Sequence, residues 1–216
     1  MLEKMGAFFD ARLEGYEEHQ LSCIESAREF YPYTAACLPG EAGARVLDLG
    51  CGTGLELNEF FRRNPSAEVT GIDLAPGMLA ALGAKFPEKR LTLIQGSYFD
   101  LPLGEEVFDA AVSVESLHHF TMEEKIPLYT KLWKALKKGA YFILTDYFAP
   151  SEEEERLYRQ ELLRLKKEQG ISDDEFYHYD TPLTVQHETE ALLAAGFSSV
   201  EVLNGWAATH TIRAGK

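Results

Sequence analysis

From Arg45 onward the chain alternates short apolar runs with longer amphipathic stretches. The runs are Arg45–Leu49, Glu68–Ile72, Leu91–Gln95, Phe108–Val114 and Tyr141–Thr145. Each is apolar at consecutive positions, as in strands buried on both faces of a parallel sheet. The segments between them, Gly54–Arg63, Gly77–Phe86 and Thr121–Lys138, carry helical spacing. This rhythm predicts βαβ units and an α/β fold with a doubly wound, mostly parallel sheet. Two further strand-like runs, Ser198–Leu203 and Trp206–Arg213, flank Asn204-Gly205, a dipeptide suited to a two-residue hairpin turn. The sheet is therefore expected to end in an antiparallel C-terminal hairpin.

Two regions stand apart from that rhythm. Residues 5–37 have rough helical periodicity at Leu13, Tyr16, Leu21, Ile24, Ala27 and Phe30-Tyr31, with Pro32 and Pro39 as expected breaks. They predict a helical N-terminal cap over 1–40. Residues 147–190 form a helical insertion after the fifth strand. Ser151 with Glu154 three residues on is a capping-box pattern, Leu157, Leu162 and Leu165 supply an apolar face, and Gly170 ends the helix. Thr184 opens another helix that stops at Gly196. With 216 residues, the whole of 1–216 is expected to be a single domain.

Charge narrows the partners. Lys and Arg total 21 against 35 Asp and Glu, a net charge of −14, and no run of Lys/Arg exceeds two residues. Nucleic-acid binding depends on neutralising phosphates with such cations, so it is disfavoured. The span 151–190 holds 12 acids and 5 bases, which places half of that net charge in the insertion. Hydrophobic residues at 45% and charged residues at 26% exclude wholesale disorder. No apolar stretch approaches a membrane span, and the acidic N-terminus reads as no signal peptide, so a cytoplasmic protein with no membrane contact is expected. Cys23, Cys37 and Cys51 are widely spaced, and only His118-His119 are adjacent among six histidines; no disulfide framework and no metal are expected.

The segment that carries chemistry is Val46-Leu47-Asp48-Leu49-Gly50-Cys51-Gly52-Thr53-Gly54. A buried strand runs into a glycine loop that opens a helix, and Asp73 ends the next strand, where an acid can accept hydrogen bonds from ribose hydroxyls. A dinucleotide fingerprint beginning at Gly50 requires glycine at position 55, which is Leu55, and the GK[ST] of a phosphate-binding loop is absent. Nicotinamide dinucleotides and nucleoside triphosphates are both disfavoured.

These residues resemble the class I, seven-strand S-adenosylmethionine-dependent methyltransferases. The resemblance rests on Val46–Gly54, Gly71–Leu79, Gln95–Pro102, Phe108-Asp109 and Leu117–Phe120. It implies a methyl transfer from S-adenosyl-L-methionine, with S-adenosyl-L-homocysteine as product, to an O, N or C nucleophile of a small-molecule acceptor. By position, it assigns Asp48 and the loop of Gly50, Cys51, Gly52 and Gly54 to the methionine part of the cofactor. Asp73 falls to the ribose diol, and Leu74 and Met78 to the flanks of the adenine. Gly96, Ser97 and Tyr98 follow, with Ser97 a neutral hydroxyl where relatives often carry an acid. Glu115 lies where a backbone carbonyl meets the methionine amine, and Phe8-Phe9 with Tyr16 resemble a segment that closes over the cofactor.

Candidates for a general base at the strand ends are His118, His119 and Asp146, each also readable as structural: a loop cap, a solvent-facing ring, a strand cap. Tyr177, His178 and Tyr179 are substrate-contact candidates, or else rings that pack the insertion onto the core. A tRNA-modifying relative and a cofactor-binding module without turnover remain alternatives. Monomer and homodimer are equally compatible with the sequence.

Overall fold

The computed structural model describes residues 1–172 and 175–216. Five parallel strands, β1 (Arg45–Leu49), β2 (Glu68–Asp73), β3 (Arg90–Gln95), β4 (Phe108–Val114) and β5 (Leu136–Tyr147), are joined by β6 (Ser199–Trp206) and β7 (Thr209–Gly215). The sheet order is β3-β2-β1-β4-β5-β7-β6, with β7 antiparallel to both neighbours. The connections are α4 (Leu55–Arg63), α5 (Pro76–Lys85), α6 (Met122–Ala135), and then α7 (Glu152–Gln169) with α8 (Val185–Ala194). The N-terminal cap consists of α1 (Met5–Asp10), α2 (Tyr16–Cys23) and α3 (Ala27–Cys37).

The period of two along each strand divides the core. Phe142 and Leu144 of β5 point to one face and Ile143 to the other; Leu47 and Leu49 of β1 likewise oppose Val46. One face packs on α6 and α8 through Leu128, Leu132 and Leu192, the other on α3 and α4 through Phe30, Leu57 and Phe60. Each such side chain, fully removed from water, stabilises the fold by about 1.5–3 kcal/mol relative to exposure. Both faces are covered, which is why the strands read as continuous apolar runs.

Several boundaries differ from expectation. The hairpin turns at Ala207-Ala208, with Trp206 facing Thr209 and Ala207 at φ +49°, not at Asn204-Gly205. Gly205 instead sits within β6 opposite His210, whose imidazole carbon would lie 2.7 Å from any added Cβ. Glycine there makes room for a ring. Pro32 does not break the cap but lies inside α3. α6 stops at Ala135 because Leu136 turns extended and pairs with Phe108, which lengthens β5 at its start. Both N-caps form, Ser151 Oγ accepting from Glu154 N, which is one half of a capping box, and Thr184 Oγ1 from His187 N. α7 itself buries none of its residues, and Leu157 is exposed. No helix among the described residues is long and apolar enough to cross a membrane.

Candidate active site

The C-terminal ends of β1 and β4, adjacent in the sheet but followed by helices on opposite sides, open a crevice at the topological switch point. Its floor is the loop after β1. Gly50, Gly52 and Gly54 all adopt left-handed backbone, at φ +74°, +48° and +69°. The amides of Gly50 and Cys51 both donate to Ile72 O, at 2.9 and 3.2 Å, which ties the loop to β2. Asp73 completes it: Oδ2 accepts from Gly52 N and Oδ1 from Ala75 N, each at 2.8 Å. Burial raises the Asp73 carboxyl, and these backbone donors oppose the rise.

Above the loop lies a tight cavity of about 50 Å³. Eight of the cofactor candidates line it, Tyr16, Gly50, Gly52, Asp73, Leu74, Met78, Tyr98 and Glu115, together with the general-base candidate His119. Met5 and Phe9 of α1 close it from outside. Asp10 holds α1 in place by accepting from Gly77 N at the start of α5, 2.8 Å away.

The other cofactor candidates lie outside the lining. Asp48 is buried beneath the loop beside Glu56, not turned to the cavity, and Asp48 Oδ2 and Glu56 Oε1 have no hydrogen-bond partner. Burial and the neighbouring carboxyl push Asp48 well above the usual carboxylate range. Cys51 packs against Gly71, and Gly54 starts α4 with Leu82 and Leu57 where a Cβ would stand. Gly96 N donates to Asp73 O, and Ser97 Oγ accepts from Phe99 N at 3.1 Å, so both shape the turn after β3.

A second, larger cavity of about 840 Å³ adjoins the first and shares Phe9, Tyr16, Glu115 and His119 with it. His118 and His178 line only this one; Asp146, Tyr177 and Tyr179 line neither. Asp146 Oδ1 lies 2.5 Å from His118 Nδ1, and its Oδ2 accepts from Leu117 N at 2.8 Å. Burial alone would depress His118, but the Asp146 carboxylate outweighs it and raises the imidazole to about 9. His119 goes the other way, to about 4, through burial and the adjacent His118 charge. Its Nδ1 faces Tyr179 O at 3.2 Å and Asp180 Oδ1 at 3.1 Å. Burial raises Glu115, which stands at φ +50° just past β4, to about 7.

His178 stacks on Phe8 with centroids 3.6 Å apart, and Tyr177 pairs its backbone with Lys4, so this stretch clasps the cap. Asp180 was not among the sequence candidates. It faces both histidines, and only the folded insertion reveals this. Tyr147 and Trp206 complete the second cavity, again without any local sequence signal.

A methyltransferase-domain family model matches residues 46–139, the span from β1 into β5. An uncharacterised methyltransferase of Geobacillus sp. (strain WCH70) is 27% identical over 86% of this chain and 83% of its own length. Residues 46–139 are thus similar to a methyltransferase domain, and the fold of the chain is that of solved S-adenosylmethionine-dependent methyltransferases. The chain is also 29% identical to a carboxy-S-adenosyl-L-methionine synthase of Wolinella succinogenes over 94% of this chain and 88% of the relative. Other curated relatives are matched over 50%, 42% and 20% of their own length. Human N-acetylserotonin methyltransferase, solved in complex with S-adenosylmethionine, superimposes with a TM-score of 0.63 at 18% identity, over 88% of this chain and 52% of that one. At that identity the likeness speaks for the methyltransferase fold alone.

Proposed function

We propose that this protein binds S-adenosylmethionine in the cavity over the glycine loop and methylates a small acceptor seated in the second cavity. The observation that carries the reading is the shared wall: Phe9, Tyr16, Glu115 and His119 belong to both cavities, so two ligands would meet there. The cofactor cavity fits its ligand chemically. Asp73 is pinned by one backbone donor on each oxygen and keeps lone pairs for a ribose diol. The glycines let a ligand approach backbone that a Cβ would block. The human relative solved with S-adenosylmethionine and the names of the curated relatives support the same cofactor.

Bound there, the cofactor supplies a methyl carbon on a sulfonium, a good leaving group. The chain's own task is then chiefly placement. Holding a nucleophile in line with such a carbon is worth about 7–11 kcal/mol in favourable intramolecular systems. His119 stays neutral at pH 7 and touches both cavities, so it is the residue for taking a proton where the nucleophile must lose one, at ~10²–10⁴-fold. His118, protonated and held by Asp146, is a fixed positive charge rather than a base.

The second cavity favours a neutral or amine-bearing acceptor. Glu14, Glu25, Glu115 and Asp180 line it, and its Arg12 is paired with Glu3 at 3.0 Å and laid over the Phe8 ring. The same balance weighs against a carboxylated substrate or a tRNA. The test is calorimetric titration with S-adenosylmethionine, S-adenosylhomocysteine and NAD, with Asp73→Ala as control. Binding of the first two, lost in the variant and absent for NAD, is expected; binding untouched by Asp73→Ala overturns the site.

A further inference from the structure

His118 and His119 occupy one tight turn after β4, Leu117–His119, with ring centroids 4.0 Å apart. Asp180, from the far end of the insertion, faces both rings. Its Oδ1 lies 3.1 Å from His119 Nδ1 and 3.6 Å from His118 Nε2. One ligand atom from each of the three falls within 4.8 Å of those of the other two. Nitrogen and oxygen ligands bind zinc-like ions at about 2.0–2.2 Å, which sets tetrahedral neighbours roughly 3.3–3.6 Å apart. The His118–Asp180 separation of 3.6 Å matches that edge length, and the His119–Asp180 separation of 3.1 Å is slightly shorter than it.

The first histidine is itself held in place. His118 Nδ1, the nitrogen remote from Asp180, meets Asp146 Oδ1 at 2.5 Å, and Asp146 is itself held by the amides of Leu117 and Tyr147. A carboxylate on the far nitrogen is how ligating histidines are oriented and made more basic. Both histidines and Asp146 are buried, so little side-chain freedom remains to be lost. A second grouping, Glu115 with His118 and Asp146, shares His118, but its Asp146 oxygens are already taken by those donors.

We propose that His118 Nε2, His119 Nδ1 and Asp180 form a binding site for a divalent transition-metal cation in the wall of the second cavity. Two imidazoles and one carboxylate suit zinc, manganese, iron or cobalt rather than calcium or magnesium, which prefer all-oxygen shells. Three protein ligands leave positions open, and all three line the second cavity. An acceptor hydroxyl bound there is held beside the cofactor cavity and loses its proton more readily than in water. That use of the ion rests on the proposed function, and with the ion bound it replaces the proton-accepting role of His119 and displaces the proton of His118 Nε2; the site itself rests only on the ligands.

The test uses the full chain, stripped with chelator and titrated with Co²⁺ under visible absorption and calorimetry, then with Zn²⁺. His119→Ala and Asp180→Asn remove ligands, and Asp146→Asn loosens His118 without removing one. Titration with S-adenosylhomocysteine on every sample reports folding and the cofactor site independently. One Co²⁺ per chain with d–d bands is expected, displaced by stoichiometric Zn²⁺. Affinity should fall at least tenfold in each ligand variant and about 10–100-fold in Asp146→Asn. Equal Co²⁺ affinity in wild type and variants, or no Co²⁺ bound at one equivalent, overturns the site; the His118 proton alone then holds the two carboxylates. Should Co²⁺ bind as expected while S-adenosylhomocysteine does not, the cofactor reading fails and the metal site stands.

Discussion

Asp73 Oδ2 accepts the amide of Gly52 at 2.8 Å, so the acid ending β2 also fixes the glycine loop that follows β1. The proposed ribose contact and the loop geometry therefore pass through one carboxylate. In Asp73→Asn, one acceptor oxygen becomes a donor, and Gly52 N or Ala75 N loses its partner. A hydrogen bond to a charged group is worth about 1.5–3 kcal/mol, so the Kd for S-adenosylhomocysteine should rise ~10–100-fold by calorimetry. An unchanged Kd would remove Asp73 from the site.

Gly50 is constrained from two directions. Its φ of +74° is costly for any L side chain, and an added Cβ would stand 2.0 Å from Ser116 Oγ. Gly50→Ala should cost about 1–2 kcal/mol for the backbone alone, with the clash in addition. Ser116→Gly removes the obstructing atoms and leaves the backbone cost. In urea unfolding, the double variant should be less destabilised than the two single changes summed. Strict additivity would mean that the Gly50–Ser116 approach carries no energy.

The strands and the glycine loop were legible because both sheet faces are covered, so burial wrote itself into consecutive apolar residues such as those of Phe108–Val114. The loop is local: strand, turn and helix start lie within ten residues, and Asp73 follows one βα unit later. What was not legible depends on distant packing. Asn204-Gly205 carries a turn signature, yet Gly205 is small because the His210 ring lies against it, and Ala207-Ala208 make the turn. Asp48 carries a motif position but lies under the loop, paired with Glu56. Asp180 belongs to an aromatic, polar stretch with no periodicity, and only the return of the insertion over β4 sets it against His118 and His119.

Glu115 predicts a proton linkage. Burial raises its carboxyl from 4.5 to about 7, so in the free, chelator-treated protein it ionises only as the pH rises through neutrality. A raised acid costs folding stability progressively as pH climbs from 4.5 through about 7. A cation in the adjoining cavity favours the ionised form. S-adenosylmethionine, a sulfonium, should therefore bind more tightly at about pH 8 than at about pH 6, with a proton released on binding below neutrality. S-adenosylhomocysteine lacks the sulfonium charge and should show the smaller dependence. Calorimetry in buffers of different ionisation enthalpy measures the released proton directly. Glu115→Gln should abolish the difference between the two ligands, and a difference that survives the substitution would assign the linkage elsewhere.

The cap and the insertion hold each other across the cavity mouth. Met5 N donates to Phe176 O and His178 N to Glu3 O, each at 2.9 Å, while Phe8 stacks on His178 at an interplanar angle of 8°. Met5 and Phe9 from the same short helix line the cofactor cavity. Opening this clasp exposes the cavity, and filling the cavity should hold the clasp shut. The amides of Met5 and His178 report the opening because each is protected by a bond across it. An aromatic pair contributes about 0.5–1.5 kcal/mol beyond its buried area, so Phe8→Ala should speed exchange at both amides ~2–10-fold. Strand amides such as those of β1 should be unaffected. Saturating S-adenosylhomocysteine should slow the same two amides in the wild type, since Met5 and Phe9 would then pack on ligand. Exchange at Met5 and His178 that ignores both the substitution and the ligand would show that the clasp is a fixed part of the fold and that ligands enter by another route.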